Sequence, residues 1–433
     1  MANFQYAVVA SILHDERQKR TLLDTFERAL EEAGGEMVNL GATLVHPRNT
    51  MLPLFIFVLT GGTEAEAMEL IARETMLEKG EPVVLLAHPS QNSLPAALEI
   101  LAKTKQSGGR GLIVQADATG SFGKAIDDIV AVSRSRSEMR TCRIGVVGES
   151  SDWLIASRHD AETVQKAWGV ELKAIAFEEL LEAIQEIRTR PQEDIELPDM
   201  RKDATFYIEA NDEDMRKSME ILYALKTIVV RHTLHALTLR CFDLVLQDHS
   251  TGCLALSALA DEGIDAGCEG DIPSILGLHW MRKLTGKAAW MANPSAITVQ
   301  NESDGAEMLI AHCTAPRSLL SEYGLRSHFE SGLGVAVAGI IPEGEVTLVR
   351  IGGKNLERVW FSPATVIASP RREGLCRTQA VLKLPADKAN ELLSDPLGNH
   401  LVMVRGDWTQ RISLYLRLYK MPQRGRDLFL GVV

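Results

Sequence analysis

The stretch Gly267-Cys268-Glu269-Gly270-Asp271-Ile272 sets two acids one residue apart, directly after a cysteine, in an otherwise small and apolar neighbourhood. A carboxylate flanked by apolar segments is either a solvated loop acid or one whose burial is offset by a partner such as a metal ion. Three polar positions downstream share that setting. Asn293 follows the apolar run Ala288–Ala292 and precedes Pro294, which reads as a strand end; His312 closes Met308-Leu309-Ile310-Ala311; His400 lies between Gly398 and the β-like Leu401-Val402-Met403-Val404. Each alone has an ordinary reading: a histidine at a strand edge is commonly a hydrogen-bonded structural residue, and an asparagine before proline a turn former. Together they are two oxygen donors and two imidazoles from separated segments, the donor types of a site for a manganese-like or magnesium-like ion. Spacing by itself does not establish that they converge.

Two glycine-bearing turns, Leu59-Thr60-Gly61-Gly62 and Val146-Val147-Gly148-Glu149, invite a nucleotide reading. Neither has the GxGxxG or GxxxxGK[ST] spacing that cradles phosphates, so both read as ordinary strand-to-helix turns. The six cysteines are spread singly with no CxxC spacing, which indicates neither a zinc module nor a disulfide framework.

The elements that must hold these residues are legible from the hydrophobic rhythm. Before about residue 140, buried runs such as Leu52–Thr60 and Pro82–His88 alternate with helical patterns such as Arg20–Gly34 and Ser93–Gln106, as a parallel α/β sheet requires. A second such unit starts near Cys142. It continues through a charged, Pro-containing loop at 191–198, a long helix over Asp212–His232, a strand over Ala236–Val245 and a helix over Gly252–Gly263. Beyond about Pro294, short β runs split by Gly and Pro turns suggest antiparallel sheet or barrel. The expected domains are therefore α/β at 1–139, α/β carrying part of the active site at 140–293, and antiparallel β at 294–433.

The chain has 433 residues, enough for two or three cores, with 45% hydrophobic and 24% charged residues, ordinary values for a globular protein. A net charge of −12 offers no basic footprint for nucleic acid or an anionic membrane. No apolar run approaches the ~20 residues that span a bilayer. The first apolar run is too short and wrongly flanked for a signal peptide, so a cytoplasmic location is expected.

The segments Gln91–Glu99, Arg143–Ser157, Leu239–Val245, Leu256–Ile272, Leu284–Lys287, Ile310–Pro316, Cys376–Gln379 and Gly398–Asp407, taken in this order, resemble the L-fucose isomerase and L-arabinose isomerase superfamily in its shorter, fucose-isomerase-like branch. The resemblance covers most of the chain. It implies two Rossmann-like α/β domains and a C-terminal antiparallel β-barrel-like domain, assembled as a homo-oligomer with active sites near subunit contacts. It also implies interconversion of an aldose and a ketose on a divalent metal, usually manganese. Glu269 matches the glutamate that ligates metal and shuttles a proton, Asn293 the position of a second carboxylate, His400 the C-terminal metal histidine, and His312 a further ligand in some members.

Proton movement between C1 and C2 of a free monosaccharide needs a base for a carbon acid and an electrophile for the ene-diolate, which explains the residue types. Asp271 would assist beside the metal or serve as a turn acid. Asn92, Ser93, Ser151 and Trp153 are expected sugar contacts, Trp153 as a stacking platform or else a hinge or core residue. Asn293 departs from the family: a carboxamide removes a charge and cannot carry a proton, unless Asp271 or Glu302 compensates. Two alternatives follow, a sugar-binding or regulatory relative without turnover, and a lyase or epimerase of a modified sugar. Which sugar is bound is not written in the sequence.

Overall fold

The computed structural model describes residues 2–41, 43–117, 119–189, 200–301 and 305–419. Glu302 and the 191–198 loop lie outside the described residues. The chain divides into two compact units, residues 1–137 with those from 411 onward, and residues 138–410.

In the first unit, strands β1 (Phe4–Val9), β2 (Gly35–Leu40), β3 (Thr43–Leu44), β4 (Leu54–Val58), β5 (Val83–Ala87) and β6 (Gly111–Gln115) form one sheet in the order β3-β2-β1-β4-β5-β6. All neighbours are parallel except β2 and β3. Every residue of β1, β4 and β5 is buried, the pattern of central strands covered on both faces.

The second unit begins with a four-stranded parallel sheet of β7 (Arg143–Val147), β8 (Glu171–Ile175), β9 (Ala236–Leu239) and β10 (Asp265–Cys268), in the order β10-β9-β7-β8. The long helix Asp212–His232 starts where expected because Asn211 caps it: its side chain accepts from the Glu213 and Asp214 amides, and Asp214 answers with a bond from the Asn211 amide. The stretch 236–245, expected as one strand, splits. The ladder stops at Leu239, and Cys241–Gln247 is helix. Arg240 makes the turn, its amide donating to the Val147 carbonyl and its guanidinium to Asp243.

Then follow β11 (Ala289–Asn301), β12 (Gly305–His312), β13 (Glu322–Arg326), β14 (Ala336–Ile340), β15 (Gly344–Gly352), β16 (Arg358–Ala368), β17 (Thr378–Leu384) and β18 (Leu401–Arg405). Six of them close a ring, β11-β12-β17-β16-β15-β18 and back to β11, antiparallel at every step. β13 and β14 extend from β17 outside it. Trp290, Met308, Ile310, Leu348, Val366, Leu382 and Met403 belong to its core. Asn293 and Pro294 sit within β11 rather than at its end, at a break in register where Pro294 opposes Ile310 and Ala296 opposes Leu309.

The helix Ile272–Thr285 contacts β9 and β10 on one side and β11, β15 and β18 on the other, and its residues 272–281 are all buried. A helix between two layers has no solvent face, so its sequence, Ile272-Pro273-Ser274-Ile275-Leu276-Gly277-Leu278, lacks a charged stripe. Gly277 permits the close approach: a Cβ there would lie 3.1 Å from the Val402 side chain. Among the described residues no helix is long and apolar enough to cross a membrane.

Candidate active site

Within the second unit, Glu269 stands on the two-residue turn that joins β10 to the helix Ile272–Thr285. That turn is left-handed at both positions, φ 63° at Glu269 and 68° at Gly270. Only glycine fits the second, since a Cβ would meet the Glu149 carbonyl oxygen at 2.5 Å. A positive φ at glutamate is costly and persists only where surroundings impose it. Here the Ser151 amide donates to the Glu269 carbonyl at 2.9 Å and the Gly270 amide to Leu239 at 3.1 Å. The turn therefore lifts the Glu269 side chain above the carboxyl ends of the parallel strands, where open α/β sheets bind ligands.

The two carboxylate oxygens of Glu269 have different surroundings. Oε2 accepts the Trp153 indole N–H at 2.6 Å, and Oε1 lies 3.5 Å from His400 Nε2. Glu269 is 8% exposed. Burial pushes its carboxyl up, but His400, His312 and Trp153 outweigh it and hold the group below its ordinary value.

His400, fully buried just before β18, donates its Nδ1–H to Asp271 at 2.8 Å, while Nε2 makes no hydrogen bond. Burial alone would lower its pKa; Asp271 and Glu269 instead raise it to about 9. His312, the last residue of β12, shares its Nδ1 with Thr314 at 3.0 Å, and its ring stands edge-on to His400 with centroids 5.5 Å apart. Burial and then the His400 charge lower it to about 4, which leaves it a neutral imidazole with a lone pair at neutral pH. One ligand atom each from Glu269, His312 and His400 lie within 4.8 Å of one another, and all three residues are buried. This group can hold a metal ion: the donors are one carboxylate and two imidazoles, and one imidazole nitrogen is buried without a partner.

Asp271 is not an exposed turn acid. It caps the helix by accepting from the Ser274 amide at 2.9 Å and takes the Arg350 guanidinium at 3.1 Å as well as His400. Burial would raise its pKa; Arg350 and His400 hold it well below the carboxylate range. Arg350, in β15, is itself 1% exposed and also donates to Ser274 Oγ, Ser157 Oγ and the Leu397 carbonyl.

A cavity of about 130 Å³ opens above Glu269, lined also by Asn293, Ser295, His312, Phe242 and His328. Asn293 is half-buried there and brings a neutral carboxamide to the same space. His400 lies behind Glu269 rather than on the cavity wall. Trp153 is 51% exposed and edge-on to Phe242. Ser151 is buried with its hydroxyl unpartnered. Asn92 and Ser93 belong to the first unit, where Asn92 is exposed at the start of a helix and the Ser93 hydroxyl is spent on the Val58 carbonyl and the His88 amide.

Three features escaped the sequence reading. Arg350 had one signal, a lone charge inside the apolar Val346–Gly352 run. His328 had none, sitting in a polar loop. Nor did the spacing of the cysteines show that five of them, Cys241, Cys253, Cys268, Cys313 and Cys376, line this cavity.

No family model matches the chain. Among curated proteins it is similar to three named sulfoquinovose isomerase. The one from Alkalicoccus urumqiensis is 23% identical over 295 residues, 66% of this chain and 65% of that protein. Those from Priestia aryabhattai and Priestia megaterium are 25% identical over 229 residues, 51% of this chain and 50% of each protein. The chain thus spans between half and 65% of the length of the curated relatives it matches.

Proposed function

We propose that this chain is a divalent-metal-dependent aldose–ketose isomerase of a free monosaccharide, with Glu269 moving the proton between C1 and C2 through an ene-diolate. The observation that carries the reading is the buried Glu269, His312 and His400 group beside a cavity of about 130 Å³, where His400 Nε2 faces Glu269 Oε1 at 3.5 Å and would bind an ion on losing its proton. The isomerase names of the similar proteins support it.

In this reading Glu269, His312 and His400, joined by the Asn293 carboxamide, would hold the ion, manganese being the first choice. When bound, a divalent cation supplies the electrophile that stabilises negative charge on the sugar oxygens. The rest falls to side chains. Glu269 is the base, kept ionised by its neighbours and oriented by the Trp153 N–H. Asp271 is fully committed to Ser274, Arg350 and His400, so it orients His400 rather than carrying the proton. Residues 140–293 then supply the base and residues 294–433 the imidazoles. Trp153 remains a proposed sugar contact. The reading extends to a homo-oligomer in the cytoplasm, where six free thiols are at home.

Asn293 favours a second reading, a sugar-binding relative without turnover, because a carboxamide leaves the donor set one charge short. Purified protein assayed with manganese, cobalt, zinc and magnesium against pentoses, 6-deoxyhexoses and sulfoquinovose separates the two. We expect metal-dependent interconversion of one sugar, lost on chelation and restored by metal. Asn293→Asp is expected to tighten the metal by roughly tenfold or more, as an added carboxylate should. Sugar binding without turnover under every metal would leave the second reading standing and end the first.

A further inference from the structure

We infer that Cys241 and Cys268 form a dithiol oxidation site, a pair that a peroxide closes to a disulfide and thereby keeps a charged sulfur oxyacid away from Glu269. This inference does not depend on the isomerase reading. The two residues leave the carboxyl ends of adjacent parallel strands, Cys268 as the last residue of β10 and Cys241 two residues beyond β9. Their sulfurs lie 2.7 Å apart, within about 0.7 Å of the bonded distance. Both are free thiols, and both line the cavity, so a molecule as small as hydrogen peroxide reaches them without opening the fold.

The neighbourhood shows why a paired thiol matters there. Cys268 is bonded in sequence to Glu269, and its amide, carbonyl and turn are all engaged: the amide with Met291 Sδ at 3.2 Å, the carbonyl with the Thr238 hydroxyl at 3.4 Å and the Asp271 amide at 3.2 Å. A lone thiol at this point would pass from sulfenic to sulfinic acid, irreversibly, and put a fixed negative charge beside the carboxylate. With a second thiol in contact the chemistry ends earlier. One thiol takes an oxygen atom from hydrogen peroxide, giving a sulfenic acid and one water. The neighbouring thiol attacks that sulfur, forming the S–S bond and releasing the oxygen as a second water. The two thiols have then lost two electrons and two protons to the peroxide, and a dithiol reductant returns them.

The other cysteines at the cavity form a separate group, Cys253 and Cys313 packed together with the half-buried Cys376 against them. Peptide mapping distinguishes the two. The full chain, treated with hydrogen peroxide, is expected to yield a Cys241–Cys268 linked peptide and to recover both of these thiols on reduction with dithiothreitol. In Cys241→Ser, or in Cys241→Ala should the serine not fold as judged by its thermal transition, the same treatment is expected to leave Cys268 as sulfinic acid that dithiothreitol does not reverse. A wild-type protein that yields sulfinate at Cys268, a disulfide joining Cys253 or Cys376 to Cys313 in its place, or six intact thiols would overturn the inference.

Discussion

Glu269 carries charge in a buried turn because its two oxygens are divided between a fixed donor and a histidine. Trp153 holds Oε2, Oε1 faces His400, and the residue lines the cavity. A glutamine at this position keeps the size and can still accept the Trp153 bond, but it cannot accept a proton from carbon. Glu269→Gln is therefore expected to lower kcat by about 10²–10⁴-fold, the range of a lost general base, with sugar affinity little changed. Single-turnover kinetics beside a binding titration measures both; retained turnover would remove Glu269 from the shuttle role. This residue was legible because two acids in a Gly-rich, apolar stretch need a reason. The roles of its neighbours were not legible to the same depth. Whether Asp271 faced solvent or Arg350 depends on a contact across 79 residues, and the Cys241–Cys268 contact on a parallel pairing that no local spacing encodes.

The helix Ile272–Thr285 shows how an element and a site constrain each other. Asp271 is at once its N-cap, the acceptor for His400 and the counter-charge of Arg350. Arg350 ties that cap to the barrel strand β15 through Asp271 and Ser274, and to the Ser157 loop. Replacing Arg350 by Met keeps much of the volume but leaves Asp271 buried with its strongest partner gone. The expected loss is about 3–5 kcal/mol, the usual cost of breaking a buried pair from one side. Urea unfolding of Arg350→Met against the parent checks it, and a change below about 1 kcal/mol, the scale of an exposed pair, would mean Asp271 is neutralised by other means. The alternation of buried runs and amphipathic helices made the parallel sheets readable, and Gly and Pro turns beyond residue 294 made the antiparallel region readable. Closure of the ring was not, because β12 meets β17 across some seventy residues and nothing in either strand names its partner. Asn293 was expected at a strand end for a related reason: proline usually stops a strand, whereas here a break in register lets β11 run through it.

At the scale of the whole molecule, a few apolar side chains stand largely in water. In the first unit Ile12 and Leu13 are almost fully exposed in the turn after β1. In the second unit Ile155 is 88% exposed, on the same loop that carries Trp153. That loop supplies the N–H that bonds Glu269, so its apolar tip stands in water beside the carboxylate proposed as the base, a role that water exclusion would serve. Apolar side chains grouped at a functional site mark a contact surface more often than isolated ones do. We propose that another copy of the chain covers this loop in a closed homo-oligomer, which buries Ile155 and dries the approach to Glu269. The net charge of −12 works against nonspecific clumping, so a defined assembly rather than aggregation is expected. Sedimentation velocity at micromolar concentration should then report a multiple of the 433-residue chain, and Ile155→Asp should shift it toward a single chain while the circular dichroism spectrum stays unchanged. A native protein that sediments as one chain at that concentration would leave the loop exposed and the water unexcluded, and would sink this arrangement.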